Sequence, residues 1–416
     1  FFIGKNSVKR INFIEQLFLI ILVYLLASSL ISLPFYLSNY QVTFINSMFE
    51  SISGITGTGF SIFANIKYLD PTLIIWRSSS QWVGGLYFLI FLVLIFSNKQ
   101  FNFKMNGLTF SGEGGINSEE NIKQISFKIF VLYSLLSLMI FIFLNITDVR
   151  MFNSLNLSMT LISTGGFLPT DTLGKIIKTN PQKIVLIFSF FISLLNFFLI
   201  YNIFDKKIII REHREDFYII ILAIILILLV YLNNYSGLNI IISVLSSLSN
   251  SGITLINSDN NLGLYFILIT AVGGSLISNT SGIKFTRIYI LTKTASSEII
   301  KLISPNSVIN KNIFNSEKKI NNENIKISFL IFISFFLSLF ILSGILILDN
   351  IDFEKSFKLS ILTITNTTTS AMFGLEEMNF ASLLTSSKLS LIIFMIIGKI
   401  ELISIFLIIK KVFFKD

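Results

Sequence analysis

MFESISGITGTGF at 48–60, LNLSMTLISTGGF at 155–167 and IISVLSSLSNSGI at 241–253 align without a gap, and FKLSILTITNTTT at 357–369 fits the same frame. Each segment runs for about a dozen semi-polar residues and ends in hydroxyl and glycine residues. A helix of that length falls short of the roughly 20 residues needed to cross a hydrocarbon layer of about 30 Å. The shared glycines are Gly59, Gly166 and Gly252, with Thr368 in the fourth copy, and three places earlier every copy carries a hydroxyl: Thr56, Ser163, Ser249 and Thr365. The copies start 107, 86 and 116 residues apart, a domain-sized period rather than that of a solenoid. Ordinary surface turns would share these residue types, but four copies in register with nearly the same lead-in are not expected of them.

Around these segments the chain is strongly apolar. Of its 416 residues 53% are hydrophobic and 13% charged, and its mean hydropathy of +0.78 is too high for a water-soluble core to hide. Eight apolar runs, near 13–35, 73–97, 127–147, 183–204, 217–233, 262–291, 327–349 and 387–410, are long enough to cross a bilayer. One short segment lies between the members of each successive pair. The sequence therefore predicts an all-α membrane protein of four pseudo-symmetric helix, pore-loop, helix repeats, with eight transmembrane helices around a central ion pore. The expected units are 1–98, 99–205, 206–293 (with a broken inner helix) and 294–416.

Basic residues set the orientation. Lys5, Lys9 and Arg10 precede the first run, Lys206, Lys207, Arg211 and Arg214 follow the fourth, and Lys410, Lys411 and Lys415 close the chain, all on one face. Positive flanks are retained in the cytoplasm, so both termini are expected there. The net charge of +9 follows from this orientation and does not call for nucleic acid, since no aromatic platform interleaves the basic loops. With no cysteine there is no disulfide or thiolate metal site, and the one histidine, His213, sits in a charged loop where it is expected to be solvated. No phosphate-binding loop or dinucleotide fingerprint occurs, which argues against an enzyme and against a cofactor in this chain.

Four loops around one axis suit a dehydrated cation, because converging backbone carbonyls replace its water without adding net charge. Non-helical backbone at membrane depth is tolerated only where it lines such a cavity. The candidate filter is Thr58, Gly59, Gly165, Gly166, Ser251, Gly252, Thr367 and Thr368, with the ion, K+, at Gly59, Gly166, Gly252 and Thr368.

At these residues the sequence resembles the Trk/Ktr/HKT superfamily of potassium transporters over nearly the whole chain. SISGITGTGF followed by IIWRSSSQWVGGLYFLI (74–90), with Trp76, Arg77, Gln81, Trp82, Gly84 and Gly85, is similar to that family's first repeat. AVGGSLISNTSGIKFTRIYILTK (271–293) resembles its broken helix, whose middle forms an intramembrane gate under the filter. The residues agree, since Gly273, Gly274, Ser275, Ser278, Asn279, Thr280, Ser281 and Gly282 are poor helix formers in an otherwise apolar run. Close helix packing is the other use of such small residues in membranes. In IIGKIELISIF (396–406) Lys399 stands where the family typically has arginine. A charge within a span is costly and usually faces a cavity, so Lys399 is expected in the pore as part of the gate, with Glu401 nearby.

Two features depart from the family. Thr368 replaces its usual fourth glycine, so either a threonine backbone or a register shifted towards Gly374 completes the ring, and ion preference is weakened. The two extra leading spans of longer members are not in this sequence, and it opens on Phe1 rather than Met, which fits a truncated start or the shorter type of member. The resemblance implies K+ uptake through a filter in a bacterial cytoplasmic (inner) membrane, by a homodimer resting on cytosolic nucleotide-binding regulatory subunits, with the basic loop 293–326 as a docking surface. The alternative is a carrier coupled to Na+ or H+, which needs acidic residues on the path; Glu50 and Glu401 are the candidates.

Overall fold

In the computed structural model, residues 13–97, 119–204, 213–232, 237–256, 262–307, 312–315, 319–375 and 378–400 are described. They form α-helices joined by turns and short 3-10 segments. Four of these helices are α1 (Phe13–Tyr36), α2 (Phe44–Thr56), α3 (Pro71–Ser97) and α4 (Glu119–Ile146). Then come α5 (Met151–Ile162), α6 (Asn180–Leu194), α7 (Phe197–Phe204), α8 (Arg214–Tyr231) and α9 (Leu238–Leu248). The last five are α10 (Gly263–Val272), α11 (Phe285–Ile303), α12 (Asn322–Leu348), α13 (Phe353–Ile364) and α14 (Thr385–Ile400).

Among the described residues, Glu15–Tyr36, Gln124–Ile146 and Asn322–Leu348 are each long and apolar enough to cross a membrane. On α1, Phe18, Leu22, Leu26 and Leu30 stand exposed at helical spacing. In a bilayer such a stripe meets lipid.

The four aligned segments form the short helices α2, α5, α9 and α13. At 1.5 Å per residue their 11 to 13 residues reach only about 20 Å, so each descends part-way and turns back. Their serines would be costly to bury unpaired, yet Ser51, Ser158, Ser247 and Ser360 each return a hydrogen bond to a carbonyl three or four residues back. That self-satisfaction lets a semi-polar helix sit inside a membrane protein.

Each short helix packs on its own flanking helices and on one inner helix from the preceding repeat: α5 on α3, α9 on α6, α13 on α10, and α2 on α14. The last pairing joins the first repeat to the fourth. The four units therefore close into a ring, which puts the ends of all four short helices near one centre.

Two of the long apolar runs are broken. The break between α10 and α11 falls where small residues predict it. The run 183–204 is read from sequence as one span, but it stops at Leu194 and restarts at Phe197. Asn196 causes the break: its Oδ1 accepts the Phe198 N–H at 2.9 Å, its own N–H goes to Asp216 at 2.7 Å, and the Phe197 N–H goes to Ile277 O at 2.9 Å. The expectation of a solvated His213 is also corrected. It is 8% exposed, with Nδ1 3.6 Å from the Asp216 carboxylate, because α8 starts against the core rather than in the loop.

Candidate functional site

Each short helix ends on one left-handed residue at the same alignment position: Gly57 (φ +77), Thr164 (+57), Asn250 (+61) and Asn366 (+48). Asparagine tolerates this region because its short side chain can bond nearby. The next N–H then folds back onto its own helix, Gly165 to Thr160 O at 2.8 Å, Ser251 to Ser246 O at 3.0 Å and Thr367 to Leu362 O at 2.8 Å. This turn recurs in three repeats, and in the first it is the Gly59 N–H that returns to its helix, to Ser53 O at 3.3 Å.

The glycine column converges. A Cβ placed on Gly59 would lie 2.7 Å from Gly166 Cα and 2.9 Å from Thr368 Cβ, and one on Gly252 would lie 2.6 Å from Thr368 O. The fourth position is therefore held by Thr368. Gly374, at the end of the short turn Ala371–Phe373, faces Lys358 instead. Gly59 (φ +80) and Gly252 (φ +72) have left-handed backbones, whereas Gly166 and Thr368 do not. That alternation is why a residue with a side chain fits at position 368. The Thr368 hydroxyl donates to Gly59 O at 2.8 Å.

Side chains one and two positions earlier bond the loops to each other. Asn366 Nδ2 donates to Thr58 Oγ1 at 2.9 Å, Asn250 Nδ2 to Thr367 Oγ1 at 3.3 Å, and Ser251 Oγ to Gly165 O at 2.9 Å. All eight predicted filter residues are brought together. The two asparagines were not singled out from sequence, although their column, always the residue before Thr58, Gly165, Ser251 or Thr367, was legible in the alignment.

Behind the first loop, Glu50 does not line a path. Its Oε1 takes the Arg77 Nε–H at 2.7 Å and the Ser61 hydroxyl at 3.1 Å, and its Oε2 takes the Ile62 N–H at 2.8 Å. Arg77, 1% exposed, also lies 4.1 Å over the Phe167 ring. The carboxylate is consumed in holding the loop, which corrects its place as a path residue.

On one side of the ring opens a cavity of about 480 Å³ lined by Gly59, Gly166, Gly252, Thr368 and Asp171, among others. Asp171 spans two repeats, accepting from the Ile66 N–H at 2.9 Å and from Lys175 Nζ at 2.5 Å. Partial burial raises its pKa, but Lys175 and the backbone donors outweigh this and hold the carboxyl below its ordinary value.

On the other side the ring is covered. Residues 273–284 form a non-helical loop bonded to the filter: Asn279 Nδ2 donates to Ile162 O at 2.8 Å, Thr164 Oγ1 donates to Asn279 O at 3.2 Å, and the Ser281 N–H donates to Asn250 Oδ1 at 3.2 Å. Gly273 (φ +69) and Gly282 (φ +81) bracket it, each in a conformation other residues avoid. The Thr280 hydroxyl accepts the Gly274 N–H and lies 2.7 Å from the Ser278 hydroxyl, while Ser275 O accepts from the latter. The Lys284 ammonium, missed as a candidate, donates to Ser275 O, Ser278 O and Thr280 O and to two hydroxyls at 2.5–3.4 Å.

Lys399 Nζ donates to Asn279 O at 2.9 Å and lies 4.5 Å over the Phe88 ring. It is 2% exposed, and the space it shares with Lys284 and Phe88 measures about 20 Å³, room for about one water. All the predicted gate residues, Gly273, Gly274, Ser275, Ser278, Gly282 and Lys399, fall in or against this loop. Glu401 lies outside the described residues.

Fold and site together define a class, an all-α membrane protein of four helix, re-entrant loop, helix units closed into a ring. No protein-family model matches the chain. It is similar to an uncharacterized cation transporter of Methanocaldococcus jannaschii, 25% identical over 419 residues, covering 95% of this chain and 82% of the relative. It is also similar to the Trk system potassium uptake protein TrkG of Escherichia coli, 24% identical over 440 residues, covering 99% of this chain and 88% of the relative. Its fold matches the crystal structure of the potassium transporter TrkH from Vibrio parahaemolyticus with a TM-score of 0.85 at 19% identity, covering 99% of this chain and 87% of the other. Over nearly its whole length the chain is thus similar to potassium uptake proteins of the Trk system, and it shares the fold of one of them.

Proposed function

We propose that this chain carries K+ inward across a bacterial cytoplasmic membrane through the ring of Gly59, Gly166, Gly252 and Thr368, with the 273–284 loop and Lys399 as its gate. The observation that carries this reading is the convergence of four sequence-distant loops to contact distance around one centre. A cation entering from the 480 Å³ cavity would exchange water for loop oxygens, then meet Asn279 and the Lys399 ammonium. The arrangement is a closed one, since a cation cannot share a 20 Å³ space with two ammonium groups. Inward movement needs no nucleotide hydrolysis by this chain, because each charge gains about 2.3 kcal/mol per 100 mV of membrane potential.

The finer parts of the reading are a homodimer, both termini in the cytoplasm, and cytosolic nucleotide-binding subunits that dock on the basic 293–326 segment, which runs from the end of α11 to the start of α12, and open the gate. The carrier alternative loses support because Glu50 is tied to Arg77. The test is flux of K+ and of Na+ into vesicles holding the purified chain, without and with an imposed Na+ or proton gradient. Saturable uptake that requires such a gradient would replace the channel-like reading with the carrier. Flux unchanged by Gly59→Asp would remove the filter from the path.

A further inference from the structure

Below the filter, chain breaks from two different repeats lie side by side. The Ser275 N–H donates to Leu194 O at 3.1 Å and the Phe197 N–H to Ile277 O at 2.9 Å, so the 273–284 loop and the α6–α7 break share a pair of backbone bonds. The first turn of α8 holds both. Glu215 Oε1 accepts the Leu276 N–H at 3.0 Å and the Thr286 hydroxyl, clasping the loop near its start and just past its end. Asp216 Oδ1 accepts the Asn196 N–H at 2.7 Å. These carboxylates are 4% and 3% exposed.

The same two helix ends also grip a segment from the chain between α11 and α12. Phe314, 1% exposed, has its ring 4.3 Å from Tyr289, 5.4 Å from Tyr218 and 5.9 Å from Phe285. Tyr218 is one turn beyond Glu215 on α8, and Phe285 adjoins Thr286 on α11. Arg214 Nη1 donates to Phe314 O at 3.4 Å. Phe314 carries φ +47, a backbone unfavourable for phenylalanine, so burial of its ring in the aromatic box must hold it there.

We propose that Phe314 and Glu215 are the two ends of one lever: Phe314 in its box keeps the starts of α8 and α11 in register, and in that register Glu215 pins the intramembrane loop beneath the filter. Withdrawal of Phe314 from its box would free that register and, with it, the loop. This rests on the gate reading above and adds the residues that transmit to it. Glu215 is thus a positioning residue, acting on the ion path only through the loop it holds.

The test is radiolabelled rubidium uptake by the full chain in vesicles, with Glu215→Gln, Phe314→Ala, the pair together and Phe314→Leu. Each of the first two is expected to raise flux at least about 5-fold, the lower end of ordinary coupling between sites. The pair should not exceed the larger single effect, the ratio of K+ to Na+ should not change, and Phe314→Leu, which refills the box, should return near the parent rate. A Glu215→Gln protein running at the parent rate, or a pair that multiplies the single effects, overturns the lever. Should Glu215→Gln not fold, Thr286→Val removes one of its donors and carries the same expectations. If neither the parent nor Lys399→Met passes any K+, the pore reading itself fails. If they conduct and Glu215→Gln does nothing, only the lever does.

Discussion

Thr368 sits where three sister loops carry glycine, and the space around it explains both its acceptance and its cost. A Cβ on Gly166 would fall 2.2 Å from Thr368 Cβ, so the two positions share room for only one side chain. Gly166→Ala should therefore abolish K+ flux, and adding Thr368→Gly should restore at least part of it. Gly59→Ala would gain less from that partner, because Gly59 also has φ +80 and lies against the Gly166 backbone. Flux measured for the four proteins checks this, and a double variant as silent as Gly166→Ala would show that the shared space is not the constraint. Lys399 makes a second residue-scale case. Its ammonium stands 2.9 Å from Asn279 O in the covered space, and Lys399→Met keeps the length while removing the charge. Basal K+ flux is expected to rise by roughly 10-fold, equivalent to about 1.4 kcal/mol of barrier.

At the scale of elements, the buried Glu50–Arg77 pair ties α2 to α3 and is the contact most sensitive to loss. Removing one partner leaves the other charged and dry, which typically costs about 3–5 kcal/mol. Arg77→Met and Glu50→Gln should each lower the melting temperature of the detergent-solubilised protein, and the pair together should be less damaging than the sum of both. Strict additivity would mean the two do not act as a unit. The break between α10 and α11 was legible in the sequence because Gly273, Gly274 and Gly282 cluster with serines. The α6–α7 break was not. Its one local signal is Asn196 within an apolar run, and the groups that hold it open, Asp216 and Ile277, come from later in the chain. Glu50 was open to the carrier alternative for a related reason, since a carboxylate in a pore segment reads alike whether it faces the ion or an arginine.

For the molecule as a whole, the four-fold repeat and its arrangement around one axis were legible from residue spacing, whereas the contact that closes the ring, α2 against α14, joins the two ends of the described chain and has no local signal. Seams between repeats must then carry stability, and Asp171 offers a way to titrate one. It belongs to the second repeat, yet accepts backbone N–H groups of Ile66 and Lys67 from the first as well as the Lys175 ammonium. Its folded pKa lies below the ordinary carboxylate value, so its contribution is fully present above the unfolded pKa of about 3.9 and is lost as pH falls through the folded one. Melting temperatures taken from neutral pH down to about pH 3 should therefore fall more steeply at the acid end for the parent than for Asp171→Asn, the two curves approaching each other as Asp171 protonates. The difference should be small, because the Lys175 partner is 55% exposed and solvent screens the pair. Lys175→Met should narrow it further without removing it, since the two backbone donors from the first repeat remain. Parallel curves for parent and Asp171→Asn across that range would place this seam outside the forces that hold the ring closed.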